Sequence, residues 1–343
     1  MAYTTIKKST DYFNTKLWTG TGSSNALTGV GFQPDWTWIK NRTDANSHVL
    51  QDAVRGVGNT IISNNTDAQS AEGAGDLTAF GSDGFTVGTN GRVNGSGKSI
   101  VAWNWLGANG TASNTDGSIT STVSANTTSG FSIVSYTGTG ANATVGHGLG
   151  SAPTMIIVKN LNSTNDWNIG HPALGWDKRL FFNTNPESSG ASWNSTAPTS
   201  SVFSIGTAGA TNTSSNTHVA YCFAEVKGFS KIGSYVGNGS TDGTFVYTGF
   251  KPAFVIMKRS TTGDTASWYT YDNKRDSFNT MTKNVFPNLN NAENDDANNN
   301  LDFLSNGFKI RTASGGRNAS GITYIYMAFA AEPLVGDNPA TAR

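Results

Sequence analysis

Four histidines could serve as bases or metal ligands: His48, His147, His171 and His218. No two are four residues apart and no His-Glu-x-x-His occurs, so the spacing that puts two imidazoles on one helical face is missing. Each reads as a strand or turn histidine with a satisfied hydrogen bond. Asp52, Asp272, Glu225 and Glu332 are the carboxylates that could flank a glycosidic bond, which requires a separation of roughly 5–10 Å. Glu225 and Glu332 stand in matching places just past two similar strands, which reads as a structural role. The stretch NNAENDDANNNLD at 290–302 is rich in oxygen ligands, yet it lacks the ordered carboxylate spacing of a calcium loop and reads as a solvated, mobile loop. Glycine-rich turns at 17–22, 135–140 and 234–239 are not followed by Lys-Ser/Thr and a helix, so tight β-turns explain them better than phosphate binding. These readings point to a non-enzymatic chain without cofactor or metal.

Aromatic side chains are the remaining functional hint, because Trp and Tyr faces stack on sugar rings and anchor interfaces. Trp36, Trp38, Trp103, Trp105, Trp167 and Trp268 recur at matched places and read as core. Trp176 and Trp193 have no counterparts and lie in turn-rich stretches, so they are the candidate surface-binding aromatics.

The elements that would carry these residues are strands. Aromatic and β-branched runs alternate with Gly, Asn and Ser turns such as Asp83-Gly84, Asn90-Gly91 and Asn306-Gly307. Four landmarks recur in one order. An aromatic-glycine turn (LWTGTG, SYTGTG, SYVGNG) comes first. A Gly-x-x-Pro step at Pro34, Pro153 and Pro252 then leads into an apolar run ending at Lys40, Lys159 and Lys258. Phe-centred segments follow at 80–88, 202–206 and 303–310, and closing strands at 99–105, 217–223 and 324–329. The expectation is an all-β chain of three tandem diverged units, each a sandwich or jelly roll of about 100 residues. Its divisions are an N-terminal segment 1–11, unit one at 12–106, a Gly/Ser/Thr/Asn linker at 107–128, unit two at 129–226, unit three at 230–334, and a tail 335–343. The apolar run after each proline predicts a strand covered on both faces, with its terminal Lys emerging into solvent. The closing strand alternates as a half-buried strand should. The long linker predicts that unit one sits apart from the other two.

Composition narrows the partners. Charged residues make up 13% against a usual figure of about 25%, and Lys+Arg balance Asp+Glu at 23 each. No basic excess tracks a phosphate backbone, which argues against nucleic acid. Cys222 is the single cysteine, so no intrachain disulfide or paired-Cys metal site forms. The opening MAYTTIKKSTDYF has no signal-peptide core, and no run approaches the roughly 20 apolar residues of a membrane helix.

The passages GHGLGSAPTMIIVKN, SYVGNGSTDGTFVYTGFKPAFVIMKR, LDFLSNGFKIR and ITYIYMAFAAEPLVG resemble a repeated β-domain of structural proteins from tailed bacteriophages, marine ones especially. The opening YFNTKLWTGTG resembles the same domain's first unit, so the likeness runs from Tyr12 to about Leu334. It implies a virion component folded in the host cytoplasm, a tail fibre or host-recognition protein first, and a capsid decoration or head-fibre protein second. Expected partners are other virion proteins, further copies of the chain, and a host glycan or receptor; a carbohydrate-binding module is a third reading. The resemblance carries no catalytic residues.

Overall fold

The computed structural model describes residues 4–183, 187–189, 191–261 and 266–332. Strands hold 42% of the chain and helices 5%, so the fold is all-β. Three larger antiparallel sheets organise it. Sheet I runs in the order Phe13–Thr19, Ser99–Trp105, Trp36–Asn41, Val49–Asp52, Asn59–Ile62, Ser70–Ala71. In sheet II the order is Ala112–Asn114, Ser121–Asn126, Phe131–Thr137, Thr217–Phe223, Met155–Asn160, Asn168–Gly170, Lys178–Phe181, Glu187–Ser189. Sheet III is shorter: Ser230–Val236, Thr323–Glu332, Lys251–Arg259, Tyr269–Asp272. Each contains the same four-strand order: an opening strand, the closing strand, the strand at or just after the Gly-x-x-Pro proline, then a middle strand. A smaller sheet packs on each. These are Asn25–Thr28 with Gly84–Val87 and Leu77–Gly81, then Ala143–Gly146 with Val202–Ile205, then Phe245–Tyr247 with Gly307–Ile310 and Leu301–Leu304.

The period-two alternation of the strands divides their side chains between two cores. One face of each large sheet meets its own small sheet. Ile39, Ile100 and Ala102 meet Leu27, Phe85 and Val87. Ile156, Ala220 and Cys222 meet Val145, Phe203 and Ile205. Val255, Tyr326 and Ala328 meet Val246, Phe308 and Ile310. The opposite faces enter one core common to all three sheets, including Trp36, Trp103, Trp105, Tyr221, Phe223, Phe254 and Phe329. Trp36 stacks on Tyr221 at 4.3 Å between ring centroids, and Phe13 on Phe329 at 4.9 Å. Full burial of each large side chain contributes about 1.5–3 kcal/mol, so this shared core couples the sheets strongly.

Four expectations change. The closing strands are covered on both faces, because each lies between two neighbours in its sheet and between the two cores. Residues 107–128 are not a linker: Ala112–Asn114 and Ser121–Asn126 extend sheet II. Small polar residues suit them there, since buried Ser124 accepts from Ala108 N and buried Ser121 donates to Gly146 O. Sheet I is not independent, since its tryptophans fill the common core. Lastly, Lys40, Lys159 and Lys258 do not reach solvent; all three are fully buried. A buried ammonium requires acceptors, and loops folding back over the strand ends supply carbonyls. Lys40 Nζ donates to Asn46 O at 2.6 Å and Asn290 O at 3.2 Å. Lys159 Nζ donates to Thr66 O at 2.9 Å and Asn165 O at 2.8 Å, and Lys258 Nζ donates to Ala266 O.

Three one-turn helices, Gly91–Asn94, Gly209–Asn212 and Gly315–Asn318, each end on a buried asparagine. Their amides clamp the glycine turns. Asn94 Oδ1 accepts from Thr21 N, Asn212 Oδ1 from Thr139 N and Asn318 Oδ1 from Asn238 N. The glycine in each turn is required by close approach: a Cβ on Gly20, Gly138 or Gly237 would lie 2.1, 2.3 or 2.3 Å from a backbone oxygen.

Candidate functional site

Of the carboxylates singled out by sequence, Asp52 and Asp272 are buried, Glu332 is half-buried and Glu225 is exposed. Asp52 ends a middle strand and turns the chain by accepting from Arg55 N at 2.9 Å. Its other oxygen takes Arg55 Nε at 2.5 Å and the hydroxyl of Tyr221, on sheet II, at 2.7 Å. Asp272 repeats this on sheet III, accepting from Arg275 N and Nε and from Trp103 Nε1 of sheet I at 2.9 Å. All four ionised side chains of these two pairs are at most 3% exposed. Each pair therefore joins two sheets through a charge-assisted hydrogen bond in a dry setting. Glu225 holds Ile232 N at 2.9 Å and pairs with Lys231 at 2.8 Å. Burial raises the Glu332 carboxyl, and Ser9 N–H works against that shift.

The 290–302 segment is anchored rather than free. Glu293 takes Arg42 in a two-bond fork at 2.9 and 2.7 Å and Arg275 Nη1 at 2.9 Å. Among the described residues, no group of three or more His, Cys, Asp or Glu is placed to hold a metal ion.

All four histidines are buried. His48 Nδ1 accepts from Trp38 Nε1 at 3.0 Å, and His171 Nδ1 accepts from Ala173 N at 3.1 Å. Burial holds His171 and His218 down at about 4, so both are neutral near pH 7. His147 is also lowered by burial. Burial likewise pushes the Cys222 thiol up, which leaves it unreactive.

Trp176 and Trp193 lie together, edge to face at 5.9 Å. Trp193 is fully buried and Trp176 half-buried, both against the core between sheet II and its small sheet. They pack over Gly170, where a Cβ would lie 2.5 Å from Trp176 and 2.9 Å from Trp193. Trp193 is thus withdrawn from the surface. Its turn-rich sequence neighbourhood folds inward because Gly170 leaves room for two indoles on the sheet.

The surface features are elsewhere. A groove of about 440 Å³ runs beside the middle strand of sheet III, lined by Lys251, Lys274, Asp276, Phe278 and Asn279 among others. Phe278 is 71% exposed at its rim. Asp276 is occupied with Thr282 N at 2.7 Å, and Asn279 with Phe303 N and O. A smaller recess of about 190 Å³ shares Asn273 and Lys274 and reaches Asn14 and Glu332. Such a groove sets the Lys274 ammonium beside the Phe278 ring, which is binding chemistry. A second apolar surface is the edge strand Phe245–Tyr247, where Phe245 is 44% and Tyr247 59% exposed. Sequence reading missed both. The Phe-Val-Tyr alternation after Asp242-Gly243 was the available signal for the second.

The same continuity appears in sequence comparison: a domain of unknown function, DUF7483, matches residues 8–333, a span that includes all three large sheets. The chain belongs to the DUF7483 family. No curated protein and no solved structure matches it. Within this DUF7483 chain, no helix among the described residues is long and apolar enough to cross a membrane.

Proposed function

We propose that the chain is a non-enzymatic structural protein on the exterior of a bacteriophage particle, in the first place a tail fibre or host-recognition component. The observation that carries this reading is the common core. Three sheets with one strand order bury their aromatic faces against one another, and the Asp52–Tyr221 and Asp272–Trp103 hydrogen bonds cross between them. This supports a chain made of three diverged copies held as one body. Such closure slows unfolding, and kinetic persistence is what a particle exterior demands. Loops on so rigid a base are suited to recognition. Other virion proteins and a host-surface glycan or receptor are the partners this reading implies, with several copies in the particle. Antibody-labelled electron microscopy of purified particles tests it: label at the tail is expected, and particles without label refute it.

One observation favours a second location. Three alike sheets around one core give a single chain the approximate threefold character of a trimer, which suits a decoration or head-fibre protein seated at a threefold position of a shell. Label distributed over the capsid would decide for it. A carbohydrate-binding role rests on the Phe278 groove. Binding on a host-glycan array, lost in Phe278→Ala, is the expected result there.

A further inference from the structure

The three small sheets treat their outer edge differently. In the second, strand Ala143–Gly146 is covered by the chain that joins the first two strands of sheet II. Ile119 forms a parallel bridge with Val145, and its N–H donates to Thr144 O at 3.0 Å. Ser118 Oγ accepts from Thr144 N at 2.9 Å and Ser121 Oγ donates to Gly146 O at 2.7 Å. Ile119 is 8% exposed and completes the local core. In the third small sheet the topologically equivalent strand is Phe245–Tyr247. Its register pairs Val246 with Phe308, as Val145 pairs with Phe203. Hydrogen bonds to the neighbouring strand fall at Thr244 and Thr248, so by antiparallel alternation Phe245 and Tyr247 aim their N–H and C=O groups at the open edge. The chain between Phe223 and Ser230 is too short to supply a cover.

Side chains at this edge differ in the same sense. Phe245 and Tyr247 stand where the first small sheet has Ala26 and Thr28 and the second has Thr144 and Gly146. Val236, whose carbonyl accepts from Thr244 Oγ1, stands where the other opening strands end on Thr19 and Thr137, and is 54% exposed. An exposed edge strand is ordinarily guarded by charge, proline or a bulge. Here it carries two rings instead. A free backbone edge suits a polypeptide rather than a sugar. Three apolar side chains fall far short of the roughly 800 Å² per partner of a stable dimer, so a second copy is not the natural occupant.

We infer that Phe245–Tyr247 is a docking strand for an extended segment of a partner protein. Its occupant is uncharged, built from small hydroxyl residues around one β-branched apolar residue, and adds in parallel as Ser118–Ser121 does on Ala143–Gly146. The inference does not depend on where in a particle the chain sits.

The test appends a second copy of residues 115–123 to the full chain after Arg343 through a flexible Gly/Ser linker, which raises effective concentration to about millimolar. Hydrogen exchange of the Tyr247 amide, read by NMR, is expected to slow at least tenfold. Protection should vanish when the appended isoleucine is replaced by proline. Unchanged Tyr247 exchange in the fusion overturns the inference. So does a micromolar dimer of the unmodified chain that Tyr247→Lys dissolves in sedimentation, since a second copy would then be the occupant.

Discussion

Sheets I and III end their middle strands on the Asp of a buried Asp-Arg pair, whereas sheet II has His171 and Leu174 in the same places. Asp52-Arg55 and Asp272-Arg275 each carry a turn, a salt bridge and a bond to a ring on another sheet. His171 keeps only the turn, and its Nε2 is buried without a partner, while Leu174 joins the common core. One backbone place thus accepts either a fully partnered charge pair or an apolar filling.

The largest effect should come from breaking a pair. Asp272→Ala leaves Arg275 buried with only Glu293 as counter-charge, and leaves Trp103 Nε1 unpaired. A loss of about 3–5 kcal/mol is expected, measured by denaturant unfolding. His171→Ala should cost far less. The double change Asp272→His with Arg275→Leu imports the sheet II solution and should recover most of the loss. If it is as damaging as Asp272→Ala, the idea that the place accepts both solutions is wrong.

Titration sharpens the same contrast. His171 and His218 are held at about 4, below their unfolded value of about 6.5. Between those values the unfolded chain binds more protons, so stability falls as pH drops from about 6.5 to 4, by about 3 kcal/mol per histidine. His171→Phe should remove the His171 share of that acid slope, about 3 kcal/mol, measured as unfolding free energy against pH.

The lysines behave alike in sheets I and II and give an alkaline counterpart. Burial pulls Lys40 and Lys159 to about 8, with nearby carboxylates acting the other way. Their unfolded value is about 10.4, so from about pH 8 to 10 the unfolded chain again holds more protons and stability rises with pH. Each lysine adds up to about 3 kcal/mol across the full interval. Burial raises Cys222, Tyr136, Tyr221 and Tyr235, which works in the opposite sense as pH climbs. The difference between the parent chain and Lys159→Met isolates the lysine term, and a difference independent of pH would refute it.

The sequence made the strands legible because alternation and glycine turns are local signals. The residues two places after Pro34, Pro153 and Pro252, namely Trp36, Met155 and Phe254, all fall on strands placed alike in their sheets. Three things were hidden for physical reasons. A terminal Lys on an apolar run normally marks the surface, and only the fold shows that Asn46, Thr66 and Asn165 carbonyls surround the ammonium groups. A Ser/Thr-rich stretch resembles a linker until a sheet edge captures Ser118 and Ser121. Exposure of Trp193 depends on Gly170, a residue that lies outside its own segment.

The smallest effect tests whether the three places differ only where their chemistry differs. Asn94, Asn212 and Asn318 do one job with one residue type: each bridges a glycine turn to the chain before its one-turn helix. Asn318 Nδ2 donates to Thr312 O at 2.9 Å and Ser240 O at 2.8 Å, and Asn212 Nδ2 donates to Gly206 O at 2.7 Å. Replacement by alanine strands one N–H and two or more carbonyls. A loss of about 1–3 kcal/mol is expected at each site, and nearly the same at all three. Because Asn318 also holds the turn beside Val236, Asn318→Ala should speed amide exchange at Asn238 more than at Thr139. Equal exchange at both amides would mean that the clamp is not local, and that the common core alone sets the order of these turns.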